Sequence, residues 1–330
     1  MHIPSTGDLP MNPAGQGSPA DHSAPVRGVS VLDARGARIK ALTALGVMAI
    51  PFAGTLAGVW MLYVGLATWV DAWLFAVMYV LHMAGVSIGY HRFLAHRAFK
   101  TSNWFRALIL ICGSMAAQGP ILFWVTTHRR HHTYSDRPGD PHSPNLCGES
   151  RAQRLRGLWH AHMPWMMSPE MSSWSYFAQD ILKDRALFFF NQTYFYWVVL
   201  GLLIPAGIGG FATGNWHGAL SGLVFGGFAR MFIANQFAWC VGSICHRYGA
   251  RPFDTNDHST NNWIVAFLTF GEGLQNNHHA FPAWFRHGVR WWEPDLSGWI
   301  LALLGKLGVV WELRSPSRDM IDRVRRRNAA

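Results

Sequence analysis

Eight of the chain's 17 histidines fall in four short stretches. His91 and His96 bracket one stretch, and His128, His131 and His132 form a second as His-Arg-Arg-His-His. His246 stands alone, and His278 and His279 close the string Gln275-Asn-Asn-His-His. Neutral imidazole presents a ring lone pair near physiological pH and is the commonest side-chain metal ligand, so this grouping points to metal chemistry. Residues at i, i+3 and i+4 of an α-helix share a face. That spacing predicts that His128, His131 and His132 converge on one side, and Gln275, His278 and His279 repeat it. His91 and His96 are i and i+5, about 140° apart on a regular helix. They either serve different metals or sit where the helix unwinds. Five of the other nine histidines read as bland: His82 as a packing residue on an apolar segment, His217 on a loop of the far side, and His2, His22 and His287 as solvent-facing.

The count of ligands selects the metal. A structural zinc takes four ligands and a catalytic zinc usually three, so eight imidazoles exceed one zinc about twofold. Two irons with nitrogen-rich shells and room for oxygen use the set better. Bound imidazoles need a partner on the second ring nitrogen. Asp136, Asp140, Asp254, Asp257 and Glu272 lie close enough in sequence to serve, or are ordinary loop charges.

Such a site must be carried by elements, and the composition indicates which. Half of the residues are hydrophobic and only 14% are charged, against about a quarter charged in soluble domains. No Asp, Glu, Lys or Arg occurs in residues 41–70, 72–90 or 186–228. About 20 apolar residues cross a bilayer core, so a purely water-soluble globule is excluded. The runs predict spans at about 41–65, 72–90, 192–211 and 217–235, paired as two helical hairpins. Basic residues cluster beside the runs while the hairpin tips are neutral. By the positive-inside rule the tips face outward, and the two ends and the centre of the chain face the cytoplasm, as in a multi-pass protein of a bacterial inner membrane. Arg230 lies inside the fourth run, and the expectation is that this helix has left the membrane by then, with Arg230 snorkelling.

The domain reading is therefore a disordered tail over 1–34, rich in Pro, Gly, Ser and Asp, a membrane domain over 35–315, and a basic tail over 316–330. The cytoplasmic cap comprises about 91–187 and 236–315. Inside it, Ala107–Val125 is apolar but interrupted by Gly119 and Pro120, which fits a re-entrant or interfacial helix. The fold class is all-α integral membrane, four transmembrane helices in two hairpins with a helical cap holding the histidines. Cys112, Cys147, Cys240 and Cys245 include no CxxC, so neither a disulfide framework nor a zinc knuckle is indicated. The net charge of +10 forms no compact patch beside a nucleic-acid module, and nucleic acid is not an expected partner.

The chain resembles the membrane-bound fatty acid desaturases, specifically the delta-9 type that includes stearoyl-CoA desaturase and its bacterial relatives. The resemblance covers roughly 40–315. It is carried by His91-Arg-Phe-Leu-Ala-His96, His128-Arg-Arg-His-His132 with Asp140-Pro-His142, and His246-Arg-Tyr-Gly-Ala-Arg-Pro252. Gly271-Glu-Gly-Leu-Gln-Asn-Asn-His-His-Ala-Phe-Pro282, Arg286-His-Gly288 and Trp291-Trp292 complete it. This resemblance implies a non-haem centre of two irons at the cytoplasmic face. It implies O₂ as oxidant, two electrons from a separate donor (a ferredoxin, a cytochrome b5-like protein or a flavin reductase), and a cis double bond in a long acyl-CoA or membrane phospholipid chain. By matched position the ligands are His91, His96, His128, His131, His132, His246, His278 and His279. Gln275 stands where the family commonly has histidine, and ligates or hydrogen-bonds. Gly242 stands where the delta-9 pattern has an asparagine that reaches an iron through water. Thr126 replaces a basic residue of the animal acyl-CoA enzymes.

Trp124 and Arg129, in and beside the second box, are expected at the substrate. Arg129, with Arg151, Arg154 and Arg156, supplies charge for CoA phosphates, anionic lipid heads or an acidic donor. Phe75 and Tyr79 are candidates to cap an acyl tunnel, or pack between helices. The rival readings are a membrane hydroxylase using the same histidines, a catalytically silent lipid-binding relative, and a zinc hydrolase. The last is disfavoured because the chain has no HExxH.

Overall fold

A computed structural model describes residues 26–325. Among these residues four helices are long and apolar enough to cross a membrane: α1 (Ala34–Tyr63), α2 (Trp69–Ala95), α6 (Tyr194–Thr213) and α7 (Trp216–His246). Between the pairs lie α3 (Asn103–Ser114), α4 (Ile121–Tyr134) and α5 (Arg151–His162), and α8 (Gln275–Ala280) follows α7. The most apolar windows of α1 and α6 are only 11% and 17% buried, against 50% and 56% for α2 and α7. The outer pair therefore turns Leu42, Ile50, Leu56, Trp60 and Leu203 outward. That much apolar side-chain surface is stable only against lipid or another apolar partner. The inner pair, α2 and α7, carries histidines at its ends.

Local chemistry fixes where these helices begin and end. Asp33 caps α1 by accepting from the Gly36 N–H at 2.8 Å. Gly65, at φ +73°, turns the first hairpin, and Asp71 closes a capping box on Thr68 to start α2. In the second hairpin Gly214, at φ +68°, ends α6, and Asn215 accepts from the Gly218 N–H. The carboxyl-terminal part of α2, Gly85–Ala95, is π-helical, as is Leu223–Ala229 within α7. Gly85 lets α2 lie directly on α3: a Cβ there would stand 2.3 Å from the backbone of Cys112 and Gly113. The interrupted stretch 107–125 is divided between two helices, α3 and α4, with a turn between them.

Two expectations require correction. The fold is helical apart from two short antiparallel ribbons, β1 (Val29–Val31) with β3 (Glu170–Ser172) and β2 (Lys100–Thr101) with β4 (Val310–Trp311). The tail over 1–34 is consequently not disordered throughout. Residues 1–25 lie outside the described residues, but β1 is paired with β3 and the Gly28 carbonyl accepts from the Ser173 N–H at 2.8 Å. The basic tail over 316–330 carries a helix at Arg318–Val324, and residues 326–330 lie outside the described residues.

The second correction is Arg230, which does not snorkel. It is fully buried, 16 residues before the end of a helix that runs unbroken to His246. Its Nε donates to the Gly226 carbonyl at 2.9 Å, Nη1 to that of Met115 at 2.9 Å and Nη2 to that of Gly201 at 2.8 Å. The Met115 carbonyl belongs to the end of α3, where unpaired helix carbonyls attract a cation. Arg230 thus ties α3, α6 and α7 together. Arg230→Met leaves these carbonyls without their donor, at about 1–3 kcal/mol for each buried orphan. A clear drop in the melting temperature of the detergent-solubilised protein is expected, and an unchanged melting curve would show the tie to be dispensable.

Candidate metal centre

The histidines gather into two adjoining groups where α2, α4, α7 and α8 meet. In the first group, ligand atoms of His91, His96, His128, His132 and His278 all lie within 4.8 Å of one another. The second consists of His131, His246 and His279, on the same criterion, with ring centroids 4.9–5.2 Å apart. The groups touch through His132 and His279, whose rings stack at 4.5 Å.

The division follows from helix geometry and refines the sequence expectation. His128, His131 and His132 do not serve one metal position together. His128 and His132, one turn apart on α4, face the five-histidine group, whereas His131, about 100° from His132, faces the other. His278 and His279 divide in the same way on α8. Of the two alternatives for His91 and His96, different metals does not hold, since they join the same group, and a loosened helix does: the turn widens to π form and the helix ends at Ala95, with His96 just past it. In the π-helical segment hydrogen bonds run from i+5 to i, and the His96 N–H donates to the His91 carbonyl at 3.1 Å. The wider turn swings residue i+5 back towards residue i, bringing the two rings to 4.8 Å.

Inside the first group ring nitrogens face one another. His91 Nε2 lies 3.1 Å from His278 Nε2, His96 Nε2 2.8 Å from His128 Nε2, and His278 Nε2 3.0 Å from His132 Nε2. In the second group the Nε2 atoms of His246 and His279 are buried with no hydrogen-bond partner. Four carboxylates engage Nδ1 atoms from outside: Glu272 against His91, Asp140 against His131 at 3.0 Å, Asp136 against His246 at 2.9 Å, and Asp257 against His279. An Nδ1–H held by a carboxylate fixes the tautomer and leaves the Nε2 lone pair facing inward. Asp254 is exposed, and its backbone N–H donates to the Val324 carbonyl.

The electrostatics agree with this division. Burial, followed by repulsion from neighbouring imidazoles, holds His96, His128, His132 and His278 well below the ordinary histidine range, and burial brings His279 down to about 4. His131 moves upward, because Asp140, with Asp136 and Asp257 nearby, outweighs the opposing effect of burial. The four carboxylates, though buried, are held below their usual range by the adjoining imidazoles, with Arg92 contributing at Glu272. Neutral lone-pair donors backed by anions suit one or more transition-metal cations, and the unpartnered nitrogens of His246 and His279 fit such occupancy.

A pH dependence follows for the metal-free protein. Histidines whose folded pKa lies below the unfolded value of about 6.5 favour the folded state fully only above that value. The unfolded chain takes up protons first as the pH falls. Stability should therefore decline from about pH 6.5 towards the value of about 4 at His279. Melting curves recorded at pH 7.5 and pH 5.0 test this, and a melting point independent of pH over that interval would contradict it.

His287 overturns its reading as solvent-facing. It is 1% exposed, its ring lies 4.5 Å from that of His278 and 5.2 Å from that of His91, and its Nε2 accepts from Arg92 Nε at 3.4 Å. Asp295 anchors the same layer, accepting from Arg92 Nη2 at 2.8 Å and from the His287 N–H at 2.6 Å. Periodicity could not reveal His287 because it lies outside any helix or strand. The signal available was its place in Arg286-His-Gly288. His82 is buried within hydrogen-bonding reach of Gln118 and Arg230, and His217 is exposed. His2 and His22 lie outside the described residues.

A cavity runs past both groups, lined by Met83, Val86, Trp124, Gly242, Glu272 and Gln275 among others. Trp124 also stacks on His128 at 5.1 Å. Gln275 is 4% exposed and its Oε1 has no partner. Arg129 is committed elsewhere: it donates to the carbonyls of Leu94, Ala95 and Phe177 and forms a two-pronged pair with Asp180. Phe75 and Tyr79 are not among the lining residues. Phe75 packs with Met61 and Phe225, while Tyr79 backs Met83 and donates its hydroxyl to the Leu268 carbonyl at 2.8 Å.

Helices of this kind around two joined histidine groups define a membrane desaturase fold, and the chain belongs to the fatty acid desaturase family, which it matches over residues 67–312. Among individual proteins it is 45% identical over 275 residues to a hex-5-enoyl-[acyl-carrier protein] acetylenase of Moorena producens (strain JHB), covering 83% of this chain and 86% of the relative. It is 38% identical over 234 residues to an sn-1 stearoyl-lipid 9-desaturase of Anabaena variabilis, covering 70% and 78%. It is 35% identical over 255 residues to an acyl-CoA C20 Delta5-desaturase of Anemone leveillei, covering 76% of each. As a member of this family it is an oxidoreductase.

Proposed function

We propose that the chain is an O₂-dependent fatty acyl desaturase working at two irons. The observation that carries this reading is the convergence of five and three imidazoles in adjoining groups. His91, His96, His128, His132 and His278 would hold one iron. His131, His246 and His279 would hold the other, with Gln275 beside them. When bound, the iron pair supplies an oxidant strong enough for an unactivated methylene, which has no acidity for a side-chain base to exploit. Two electrons and two protons enter with O₂, two hydrogens leave the acyl chain, and two waters and one alkene result.

The protein's own part is to position and to dry the site. Glu272, Asp136, Asp140 and Asp257 orient the ligands, and Trp124, stacked on His128, forms the wall along which the acyl chain lies. The basic segments, read by the positive-inside rule, support a centre on the cytoplasmic side of a bacterial inner membrane, within reach of a soluble or membrane-bound electron donor. A delta-9 product on a long lipid-linked or CoA-linked chain is supported by the motif resemblance and by the Anabaena relative.

A second reading, a shorter chain on a carrier protein, is favoured by the depth of the cavity. Met83 is the lining residue on α2 farthest from His91, and Tyr79, one turn beyond, supports it from behind. The relative at 45% identity is named for a six-carbon acyl group on acyl carrier protein. Met83→Ala, or Tyr79→Ala acting through Met83, should lengthen the acyl chains accepted. An unchanged chain-length profile in both variants would remove the cap from Met83 and Tyr79.

The iron reading is tested by metal analysis of the purified full-length protein. Two irons per chain are expected, and zinc or no metal at all would contradict it. ¹⁸O₂ labelling then separates alkene formation, which leaves no label in the lipid, from hydroxylation, which does.

A further inference from the structure

Residues 258–271 and 296–305 contain no Asp, Glu, Lys or Arg, and each stretch holds a helix, Trp263–Leu268 in the first and α9 (Leu296–Lys306) in the second. Neither helix hides its large apolar side chains. Trp263, Ile264 and Phe267 are 50%, 73% and 62% exposed, and Trp299, Leu303 and Leu307, along α9 and just past its end, are 45%, 57% and 67% exposed. The opposite faces are packed: Val265 and Ala266 are buried on one helix, Ser297, Gly298 and Leu301 on the other. An apolar helix of 11 residues is too short to cross a bilayer, and one exposed along a whole face is an interfacial or re-entrant segment rather than a core helix.

The depth of the packed faces indicates what covers the exposed ones. α2 has 27 residues, about 40 Å at ~1.5 Å per residue, against a hydrocarbon core of about 30 Å. Tyr79 stands 16 residues before Ala95 and 10 after Trp69, so it lies inside the core whichever end of α2 is level with the bilayer surface. Its side chain leans towards the start of the helix, away from the metal centre. Yet its hydroxyl donates to the Leu268 carbonyl at 2.8 Å. Phe270 and Leu296 pack beside it with Met83 of α2 and Ala234 of α7. Farther along α9, Leu301 meets Ile88 of α2 and Phe105 and Ile109 of α3. Both helices therefore lie alongside the second span, not beyond its end. We propose that they are seated in the bilayer leaflet nearest the metal centre, with Trp263, Ile264, Phe267, Trp299 and Leu303 against lipid acyl chains. Arg290, whose guanidinium lies over the Trp292 ring at 5.5 Å, and Lys306 bracket α9 at headgroup level, as Trp and basic residues do at membrane interfaces. Thr269 and Glu272, which follow the first helix, line the cavity, so this lipid-seated segment holds one wall of the cavity. The proposal does not depend on which metal the histidines bind.

The test uses the full-length wild-type protein in vesicles of phosphatidylcholine and phosphatidylglycerol. A lipid-soluble diazirine is photolysed in the bilayer and the labelled peptides are mapped by mass spectrometry. Peptides covering 263–268 and 296–307 should take up label as heavily as those of α1, while the peptide around the exposed Glu149 stays unlabelled. Labelling of both at the level of the Glu149 peptide would overturn the proposal. Nitroxide labels give the depth. They are attached at Phe267→Cys and Leu303→Cys in a chain carrying Cys147→Ala and Cys240→Ala, since the other two cysteines are buried. Leu203→Cys serves as the lipid reference and Glu149→Cys as the water reference. Both test sites should collide with oxygen and not with a water-soluble nickel chelate, at a depth of about 5–10 Å below the headgroups. Access to the nickel chelate would place the face in water. Access to neither reagent would mean that protein, a second copy of the chain for instance, covers it. Either result contradicts a lipid-seated face, and the wild-type photolabelling decides the matter if a cysteine variant fails to fold.

Discussion

His128→Ala should abolish product formation, with a loss of at least about 10³-fold in turnover. A metal centre contributes several kcal/mol to lowering the barrier, and about 4 kcal/mol corresponds to that factor. His128 is well suited to the test because it joins several partners at once: its Nε2 lies 2.8 Å from that of His96 and its ring stacks on Trp124. Its removal takes one of the five imidazoles from the group and the ring that stacks on Trp124 from the cavity wall. Activity within tenfold of wild type would show that the group is not the catalytic centre.

The second large effect is expected from the carboxylates. Glu272→Gln replaces an anion that holds His91 Nδ1, lies 3.4 Å from Arg92 Nη2 and accepts a hydrogen bond from Ser87. Without the negative charge His91 loses the partner that fixes its tautomer, and metal affinity should fall about 10–100-fold. Arg92 keeps Asp295 at 2.8 Å, so the protein should remain folded. Iron content after dialysis, compared with the melting temperature, separates the two effects. Wild-type iron retention would show that Glu272 is a spectator.

These residues also show how far the sequence could be read. The eight histidines were visible because their spacing lies within a few residues along the chain, and charge-free runs located the four long helices for the same reason. What escaped depends on backbone form or on contacts distant in sequence. Spacing at i, i+3 and i+4 placed His128, His131 and His132 on one face, yet their 100° steps spread them between two groups that a single helix face cannot anticipate. The i+5 interval of His91 and His96 was out of phase only for an α-helix, and nothing in Gly85–Ala95 announces a π-helix. Arg230 gave the impression of a misplaced charge because its three carbonyl partners come from Met115, Gly201 and Gly226, two of them far along the chain. Four of the five nearby acids do hold imidazoles, whereas Asp254 is exposed. Arg129 offers charge for CoA phosphates, anionic lipid heads or an acidic donor in the sequence, while in the fold Asp180 and three backbone carbonyls engage its guanidinium.

The most direct test of the central claim is fatty acid profiling by gas chromatography–mass spectrometry. The chain would be expressed, with an electron donor, in a bacterium that lacks aerobic desaturation, alongside a His131→Ala control. A new monounsaturated acyl chain that forms only with O₂ and disappears in the variant is the expected result. An iron-loaded protein that yields only oxygenated lipids, or the same lipid profile from wild type and His131→Ala, would contradict it.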